Sequence, residues 1–182
     1  MKKYEFTGET KEFNDATLHR IRALKDFGYV EAGDLGGWIE KEENLSHDGG
    51  YWVSDDAQVS GDARVYGNAW VSGDAWVSDD ARVSGDAWVS DDARVSGNAW
   101  VAGDAEIKAP KDTFWISAIG SRYGTTTFFR CADGKVRVTC DCFYGDLDEF
   151  LAKVEKTHGD SKHGKVYKKL IELAKIQMEE DV

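Results

Sequence analysis

An apolar β-branched residue returns every six positions along the middle of the chain, from Val53 to Ile107. Nine of these ten residues are followed four positions later by Ala, and short polar groups such as Ser-Gly-Asp fill the gaps. A helix with 3.6 residues per turn cannot keep a six-residue pattern on one face. The pattern instead predicts short strands separated by corners, in which three repeats complete a triangular coil and Val and Ala point inward. Stacked coils would pair through their backbones at about 4.8 Å.

Each predicted corner is a residue pair that tolerates unusual backbone. Gly adopts left-handed backbone freely, and Asp or Asn do so better than other residues. Such pairs suit the sharp change of direction between short strands. They are Asp55-Asp56, Gly61-Asp62, Gly67-Asn68, Gly73-Asp74, Asp79-Asp80, Gly85-Asp86, Asp91-Asp92, Gly97-Asn98 and Gly103-Asp104.

The repeat resembles that of the hexapeptide-repeat, left-handed parallel β-helix superfamily. Residues 71–76, Val-Ser-Gly-Asp-Ala-Trp, are similar to the usual repeat, with Ser where Gly, Ala, Glu or Asp is common. The resemblance covers about 55 residues and implies a left-handed coil, which the period alone does not establish. Residues 32–39 and 44–46 also resemble the entry segment of uncharacterised bacterial and phage proteins, some of which are named as acyltransferases.

These patterns predict a mainly β protein in three parts. Residues 1–34 form an N-terminal β cap, and residues 35–109 form a short parallel β-helix of about three to four coils. Residues 110–182 form a small α+β domain with a β-hairpin and two helices. The cap is expected to cover the open end of the helix, because an unpaired strand edge invites aggregation.

A hairpin turn is predicted in the C-terminal part at Asp133-Gly134. A two-residue turn would pair Cys131 with Val136 and place Cys140 on the same apolar face. Arg130 and Arg137 would then share the opposite face.

Helical spacing follows this hairpin. Asp146 and Glu149 form a capping-box signal, and Gly159 is expected to end the first helix. The second helix is predicted over about 164–177.

The sixth position of each repeat is predicted to point outward. Sorting these positions at 18-residue intervals gives three columns, and one of them carries three Trp residues. Such a column could be an aromatic ladder that stiffens the coil, or a contact surface, since contiguous exposed apolar area marks partner sites. The resemblance adds self-association as a dimer or trimer, because superfamily members commonly trimerise. The candidate contact residues here are Trp52, Trp70, Trp88, Trp76 and Trp100.

The formal net charge of −11 lies mainly in the repeat, where residues 51–107 carry 3 basic and 11 acidic side chains. Direct binding to nucleic acid is not expected, because such affinity comes from clustered Lys and Arg. The acidity could serve only corner geometry and solubility, or it could attract a basic partner such as a nucleic-acid-binding protein. The candidate residues for that partner are Asp74, Asp80, Asp86 and Asp92.

No catalytic, metal or cofactor site is predicted. None of the four His residues lies in the repeat, and only His47 could sit at a coil edge. Cys140 and Cys142 are one residue apart, which is poor spacing for zinc, and their apolar face favours buried reduced thiols. An acyltransferase on this scaffold would need a His base near a coil edge, as the family resemblance implies.

The sequence therefore favours a non-enzymatic binding protein. No apolar run is long enough to cross a bilayer and no leader pattern is seen, so a cytoplasmic protein without a membrane partner is expected. Its most specific form is a phage-encoded inhibitor of a host defence protein. An acyltransferase and a purely structural oligomer are the alternatives. If the faces of the β-helix bind no partner, the basic residues Arg122, Arg130 and Arg137 are the next candidates for partner binding.

Overall fold

The middle of the chain is a triangular solenoid of two-residue strands, as the six-residue period predicts. The computed structural model describes residues 2–178. Each repeat contributes one strand whose second residue is Val or Ile and is fully buried. These strands are β4 (Trp52–Val53), β5 (Gln58–Val59), β6 (Arg64–Val65), β7 (Trp70–Val71), β8 (Trp76–Val77), β9 (Arg82–Val83), β10 (Trp88–Val89), β11 (Arg94–Val95), β12 (Trp100–Val101) and β13 (Glu106–Ile107).

The strands stack in parallel on three faces, and the predicted grouping of the sixth repeat positions into three columns is confirmed. Each residue pairs with the residue 18 positions along the chain, so identical repeat positions lie above one another. The columns are Trp52, Trp70, Trp88 and Glu106; Gln58, Trp76 and Arg94; and Arg64, Arg82 and Trp100.

The interior of the solenoid is filled by the Val and Ala side chains of its three faces. Every repeat Val and Ala from Val53 to Ile107 is at most 1% exposed. Burying an aliphatic side chain of this size stabilises a fold by about 1.5–3 kcal/mol. The first residue of each corner has left-handed backbone, for example Gly85 with φ of 75° and Asp79 with φ of 59°. The corner prediction is therefore confirmed.

The N-terminal residues extend one face of the solenoid. Strands β1 (Tyr4–Phe13) and β2 (Ala16–Ala23) form an antiparallel hairpin, and β2 pairs antiparallel with β3 (Leu35–Ile39). Strand β3 then pairs in parallel with β5, which joins the hairpin to the first coil. Side chains from this segment, including Tyr4 and Ile21, belong to the same core as the solenoid.

The C-terminal residues form a four-stranded antiparallel sheet and two helices. The strands are β14 (Thr113–Ile119), β15 (Gly124–Arg130), β16 (Val136–Cys140) and β17 (Phe143–Asp146). The helices are α1 (Leu147–His158) and α2 (Lys162–Met178), and the predicted capping box at Asp146 and Glu149 is present.

This sheet lies against the last coil. The Ala132 N–H donates to the Asp104 carbonyl at 3.0 Å. Thr127 and Thr139 hydroxyls bond the Trp100 N–H and carbonyl groups at 3.0 and 2.6 Å. Backbone N–H and carbonyl groups at the end of the solenoid are therefore hydrogen-bonded in part by the C-terminal sheet, in place of another coil.

The predicted hairpin register is wrong by one residue. Cys131 pairs with Lys135 around a three-residue turn, in which the Gly134 N–H donates to the Cys131 carbonyl and Gly134 has φ of 77°. A type I turn followed by a left-handed Gly gives this arrangement, whereas the prediction assumed a two-residue turn. Arg137 consequently pairs with Phe129, and Arg130 pairs with Val136. The two Arg residues therefore lie on opposite faces, not on one.

The handedness of the solenoid and the division at residues 34 and 109 stay predictions. Among the helices of residues 2–178, none has the length and apolar character that a membrane span requires.

Candidate functional site: the tryptophan face of the solenoid

One face of the solenoid presents large aromatic side chains at its surface. We call the sheet formed by β4, β7, β10 and β13 the Trp face. Trp88 is 53% exposed and Trp70 is half-buried, and their rings lie 6.4 Å apart with a tilt of 41°. Contiguous aromatic surface of this kind is enriched where proteins bind partners.

Trp52, the first member of this column, does not belong to the exposed surface. It is 2% exposed, and it packs edge-on against Tyr4 at 6.3 Å and Phe27 at 5.3 Å. The column was predicted to be outward throughout, and that prediction is wrong for Trp52 because the N-terminal segment folds over it. The accessible part of the Trp face begins at Trp70.

Ser side chains hold the indole N–H groups of Trp70 and Trp88. Trp88 Nε1 donates to Ser72 Oγ at 3.3 Å, and Trp70 Nε1 donates to Ser54 Oγ at 3.2 Å. The Ser residue follows the inward Val of the preceding coil, so it points outward beside the Trp ring above it. The bond satisfies the indole N–H, which leaves the ring face available for contact.

Carboxylates border the Trp face on both sides. The corners that follow its strands place Asp74 and Asp92 along one edge, and the corners that precede its strands place Asp86 and Asp104 along the other. All four carboxylates belong to exposed residues. Asn68 Nδ2 donates to Asp86 Oδ1 at 3.0 Å and Tyr144 Oη donates to Asp104 Oδ1 at 3.3 Å.

Asp80 lies elsewhere, although the sequence grouped it with the other candidates. Its corner joins β8 to β9 and so stands between the two other faces of the solenoid. The four predicted Asp residues are therefore not one patch: Asp74, Asp86 and Asp92 border the Trp face, and Asp80 does not.

The remaining Trp candidates are partly covered by the flanking segments. Trp76 packs edge-on against Phe13 of the N-terminal hairpin at 5.1 Å. Trp100 lies beneath the C-terminal sheet, which bonds both of its backbone groups. The structure therefore does not bring Trp76 and Trp100 together with Trp70 and Trp88.

The three Arg candidates occupy separate environments. Arg130 donates to Asp112, to the Gly134 carbonyl and to the Met178 carbonyl, which is a structural role. Arg137 donates to Asp133 Oδ2 at 2.8 Å. Arg122 is exposed, and its nearest acidic oxygen, on Asp141, is 3.9 Å away.

His47, which the sequence predicted at a coil edge, is engaged in packing. Its Nδ1 accepts the Lys3 backbone N–H at 3.2 Å, and its ring packs against Tyr4 with the centroids 4.4 Å apart and a tilt of 34°. Its Nε2 lies 3.8 Å from a Glu42 carboxylate oxygen. The Nδ1 lone pair is therefore already engaged, which opposes a role for this atom as a general base.

Comparison with known proteins agrees with the solenoid geometry. Residues 57–73, 75–91 and 89–103 match the family model described as YdcK Beta solenoid repeat. The solenoid is a hexapeptide-repeat-like β-helix. A curated relative from Escherichia coli (strain K12), named "Uncharacterized acetyltransferase YdcK", is 35% identical over 68 residues. That alignment covers 33% of this chain and 21% of the relative, so this β-helix chain matches about a fifth of the relative's length.

Proposed function

We propose that this chain is a non-enzymatic binding protein whose Trp face holds a basic segment of another protein. The observation that supports this proposal is the combination of the exposed Trp70–Trp88 pair with carboxylates along both edges of the same face. Indole rings attract Arg and Lys cations, with Trp the strongest of the aromatic side chains. The flanking carboxylates would pair with the same cations at their periphery.

Charge favours a basic partner over a second copy of this chain. Two Trp faces brought together would oppose Asp74, Asp86 and Asp92 to their own counterparts, and like charges in contact are unfavourable. Lys108, a basic residue at the end of this face, already pairs with Glu106 at 2.7 Å. Self-association, which the sequence also predicted, would therefore need another surface.

The most specific form of the proposal is a phage-encoded inhibitor of a host defence protein. Its support is the resemblance of residues 32–39 and 44–46 to phage and bacterial proteins, together with the acidity of the solenoid. A basic nucleic-acid-binding host protein is the partner that this charge would suit.

We test the Trp face with a fluorescein-labelled nona-arginine peptide, using anisotropy at two salt concentrations. Trp88→Ala removes an exposed anchor of a class that often contributes about 2 kcal/mol or more to binding, so affinity should fall roughly 30-fold. Affinity of the unmodified protein should also fall as salt rises from 50 to 300 mM, because exposed charges are screened.

A matched pair of charge reversals locates the site. Asp92→Lys and Asp80→Lys make the same change at the same exposed corner position, but only Asp92 borders the Trp face. Asp92→Lys should weaken peptide binding, and Asp80→Lys should weaken it much less. Equal effects of the two reversals, or unchanged binding by Trp88→Ala, would show that the face is not the contact surface.

The name of the curated relative favours a second candidate, acetyl transfer. The geometry of His47 does not support it, because Nδ1 already accepts the Lys3 backbone N–H. Acetyl transfer on this scaffold would require a different base.

A further inference from the structure

The C-terminal domain contains a cavity of about 350 Å³ that lies far along the chain from the Trp face. It is bounded by the loop between β14 and β15, the turn between β16 and β17, and one side of α1. Pockets that hold small molecules have volumes of about 300–1,000 Å³ and are lined mainly by apolar and aromatic side chains. The size of this cavity therefore suits a compact ligand.

Aromatic rings form the body of the cavity. Phe143 and Phe150 lie 5.1 Å apart, and Phe150 meets Tyr167 edge-on at 5.6 Å. Ile119 and Val154 complete the apolar wall. A flat aromatic group would find both ring faces and ring edges to pack against.

The thiol of Cys140 and the hydroxyl of Tyr167, both in the wall, are neutral. Cys140 Sγ accepts the Thr126 hydroxyl at 3.2 Å and lies 3.9 Å from Tyr167 Oη. Burial raises the pKa of the Cys140 thiol and raises the pKa of Tyr167 to about 12. Both groups therefore stay protonated at neutral pH and add no negative charge to the wall.

Two cations lie at the mouth. Arg122 and Lys153 both line the cavity and both are exposed. Asp141 is the acidic residue among the lining residues, and its carboxylate forms a long ion pair with Arg122 at 3.9 Å. The mouth therefore carries an excess of positive charge over an apolar interior.

Left-handed backbone also occurs in the strand connections near this cavity. Eight residues other than Gly have left-handed backbone within residues 2–178. Three of them are solenoid corners and two are the tip of the first hairpin, where such backbone is required by the turn. The other three are Ala118 within β14, Tyr123 in the loop that follows it, and Asp141 in the two-residue turn between β16 and β17; of these, Asp141 lines the cavity.

From this juxtaposition we infer that the cavity is a binding site for a small aromatic carboxylate. The ring would lie among Phe143, Phe150 and Tyr167, and the carboxylate would face Arg122 and Lys153. Charge-assisted hydrogen bonds to Arg and Lys would supply the discrimination against uncharged molecules of the same shape. This inference concerns the C-terminal domain and does not depend on the proposed role of the Trp face.

The test uses the full chain, with 1-naphthylacetate as the probe and 1-naphthylacetamide as its uncharged isostere. Binding is measured by calorimetry, and the site is located by chemical-shift changes in isotope-labelled protein. The acid should bind at least tenfold more tightly than the amide, with shifts centred on the residues that line the cavity. Absence of binding up to millimolar acid, equal binding of acid and amide, or shifts centred elsewhere would overturn the inference.

Substitution of the two cations tests the assigned recognition. Arg122→Gln with Lys153→Gln should lower affinity for the acid at least tenfold and leave the amide unchanged, and exposure of both residues makes the fold insensitive to the change. The matched control is Lys165→Gln with Lys169→Gln, which removes exposed charges from α2 outside the cavity lining. Loss of acid binding in the control, or its retention in the Arg122 and Lys153 variant, would show that general charge rather than this mouth attracts the probe.

Discussion

At the scale of single residues, Lys3 is buried in surroundings that do not neutralise its charge. The residue is 0% exposed, its Nζ donates to the Tyr51 carbonyl at 2.9 Å, and the same atom lies 3.5 Å from the Tyr51 ring centroid. Desolvation is the main reason that its pKa falls from 10.5 to about 7, and nearby Lys25 lowers it further. Nothing in the sequence around Lys3 indicates burial, because a Lys near the start of a chain is usually solvated.

This lowered pKa predicts a pH dependence of stability. Lys3 binds its proton more weakly in the folded than in the unfolded chain, so the free energy of unfolding should rise between pH 7 and 10. Below pH 7 the amine is protonated in both states and its contribution is constant. Burial also raises the pKa of Tyr4, which acts in the opposite direction at higher pH, so urea titrations should stop near pH 9.5.

The variant Lys3→Met isolates this contribution. The difference in unfolding free energy between the unmodified chain and the variant should change by about 2–4 kcal/mol from pH 7 to 9.5, since each pKa unit corresponds to about 1.4 kcal/mol. Lys165→Met changes an exposed Lys and should give a curve parallel to that of the unmodified chain. A Lys3→Met curve that also stays parallel would mean that Lys3 is solvated in solution.

The Ser residues of the repeat also act at the residue scale. The sequence placed Ser where related repeats have other small or acidic residues, without a reason for it. The structure supplies one, since Ser54, Ser60, Ser72 and Ser84 each accept the indole N–H of the Trp 16 positions later. The co-occurrence of Ser and Trp at this separation was available in the sequence as a signal, and it was not recognised because 16 is not a multiple of six.

At the scale of elements, the corners of the solenoid are not equivalent, although the sequence treated Gly and Asp as interchangeable there. In one corner column Asp79 Oδ2 accepts the Gly97 N–H at 2.9 Å. The Asp79 side chain can approach this N–H because Gly97 has no side chain of its own. In another column Gly67, Gly85 and Gly103 lie directly above one another. A side chain at Gly85 would place its Cβ 2.7 Å from the Gly103 backbone nitrogen.

Gly85→Ala should therefore destabilise the chain more than Gly8→Ala. Both glycines have left-handed backbone, with φ of 75° and 92°, but an added Cβ at Gly8 meets nothing within 4 Å. Left-handed backbone alone costs Ala about 1–2 kcal/mol, and collision with a stacked coil should raise the total at Gly85 to about 3 kcal/mol or more. Chemical denaturation measures both; equal losses would indicate that the coils are spaced more widely at this corner.

The hairpin at Asp133-Gly134 shows where element prediction fails. Its register is set by whether the loop has two or three residues, and a one-residue slip exchanges the two faces of a strand. Burial did not decide the question, because Phe128 packs on the helix side and Phe129 packs on the solenoid side. A sheet covered on both faces carries no alternation of apolar and polar residues from which the register could be inferred.

At the scale of the whole molecule, the sequence predicts the stacking of the solenoid repeats but not the contacts that the flanking segments make with them. The 18-residue columns follow from the period alone, because a parallel stack places equal repeat positions above one another. The burial of Trp52 depends on Tyr4 and Phe27, which are distant in sequence and belong to a segment without periodicity. The aromatic cavity of the C-terminal domain is assembled from two strand connections and two helices. For the same reason the sequence did not predict it, although Arg122 at its mouth was a candidate residue.

The relation of this β-helix to its relative leads to a prediction about activity. The similarity covers 33% of the chain and 21% of a protein known only as an uncharacterised acetyltransferase, and the repeat itself contains no His. We expect no protein-dependent release of coenzyme A from acetyl-CoA when the purified chain is incubated with a panel of amine and hydroxyl acceptors and the products are separated by chromatography. His47→Ala is the informative variant, because His47 is the His nearest to a coil edge and its Nδ1 is occupied by the Lys3 N–H. Acetyl transfer that is measurable with the unmodified chain and lost in His47→Ala would contradict the binding role, and would require His47 to leave its contacts with Lys3 and Tyr4 when the donor binds.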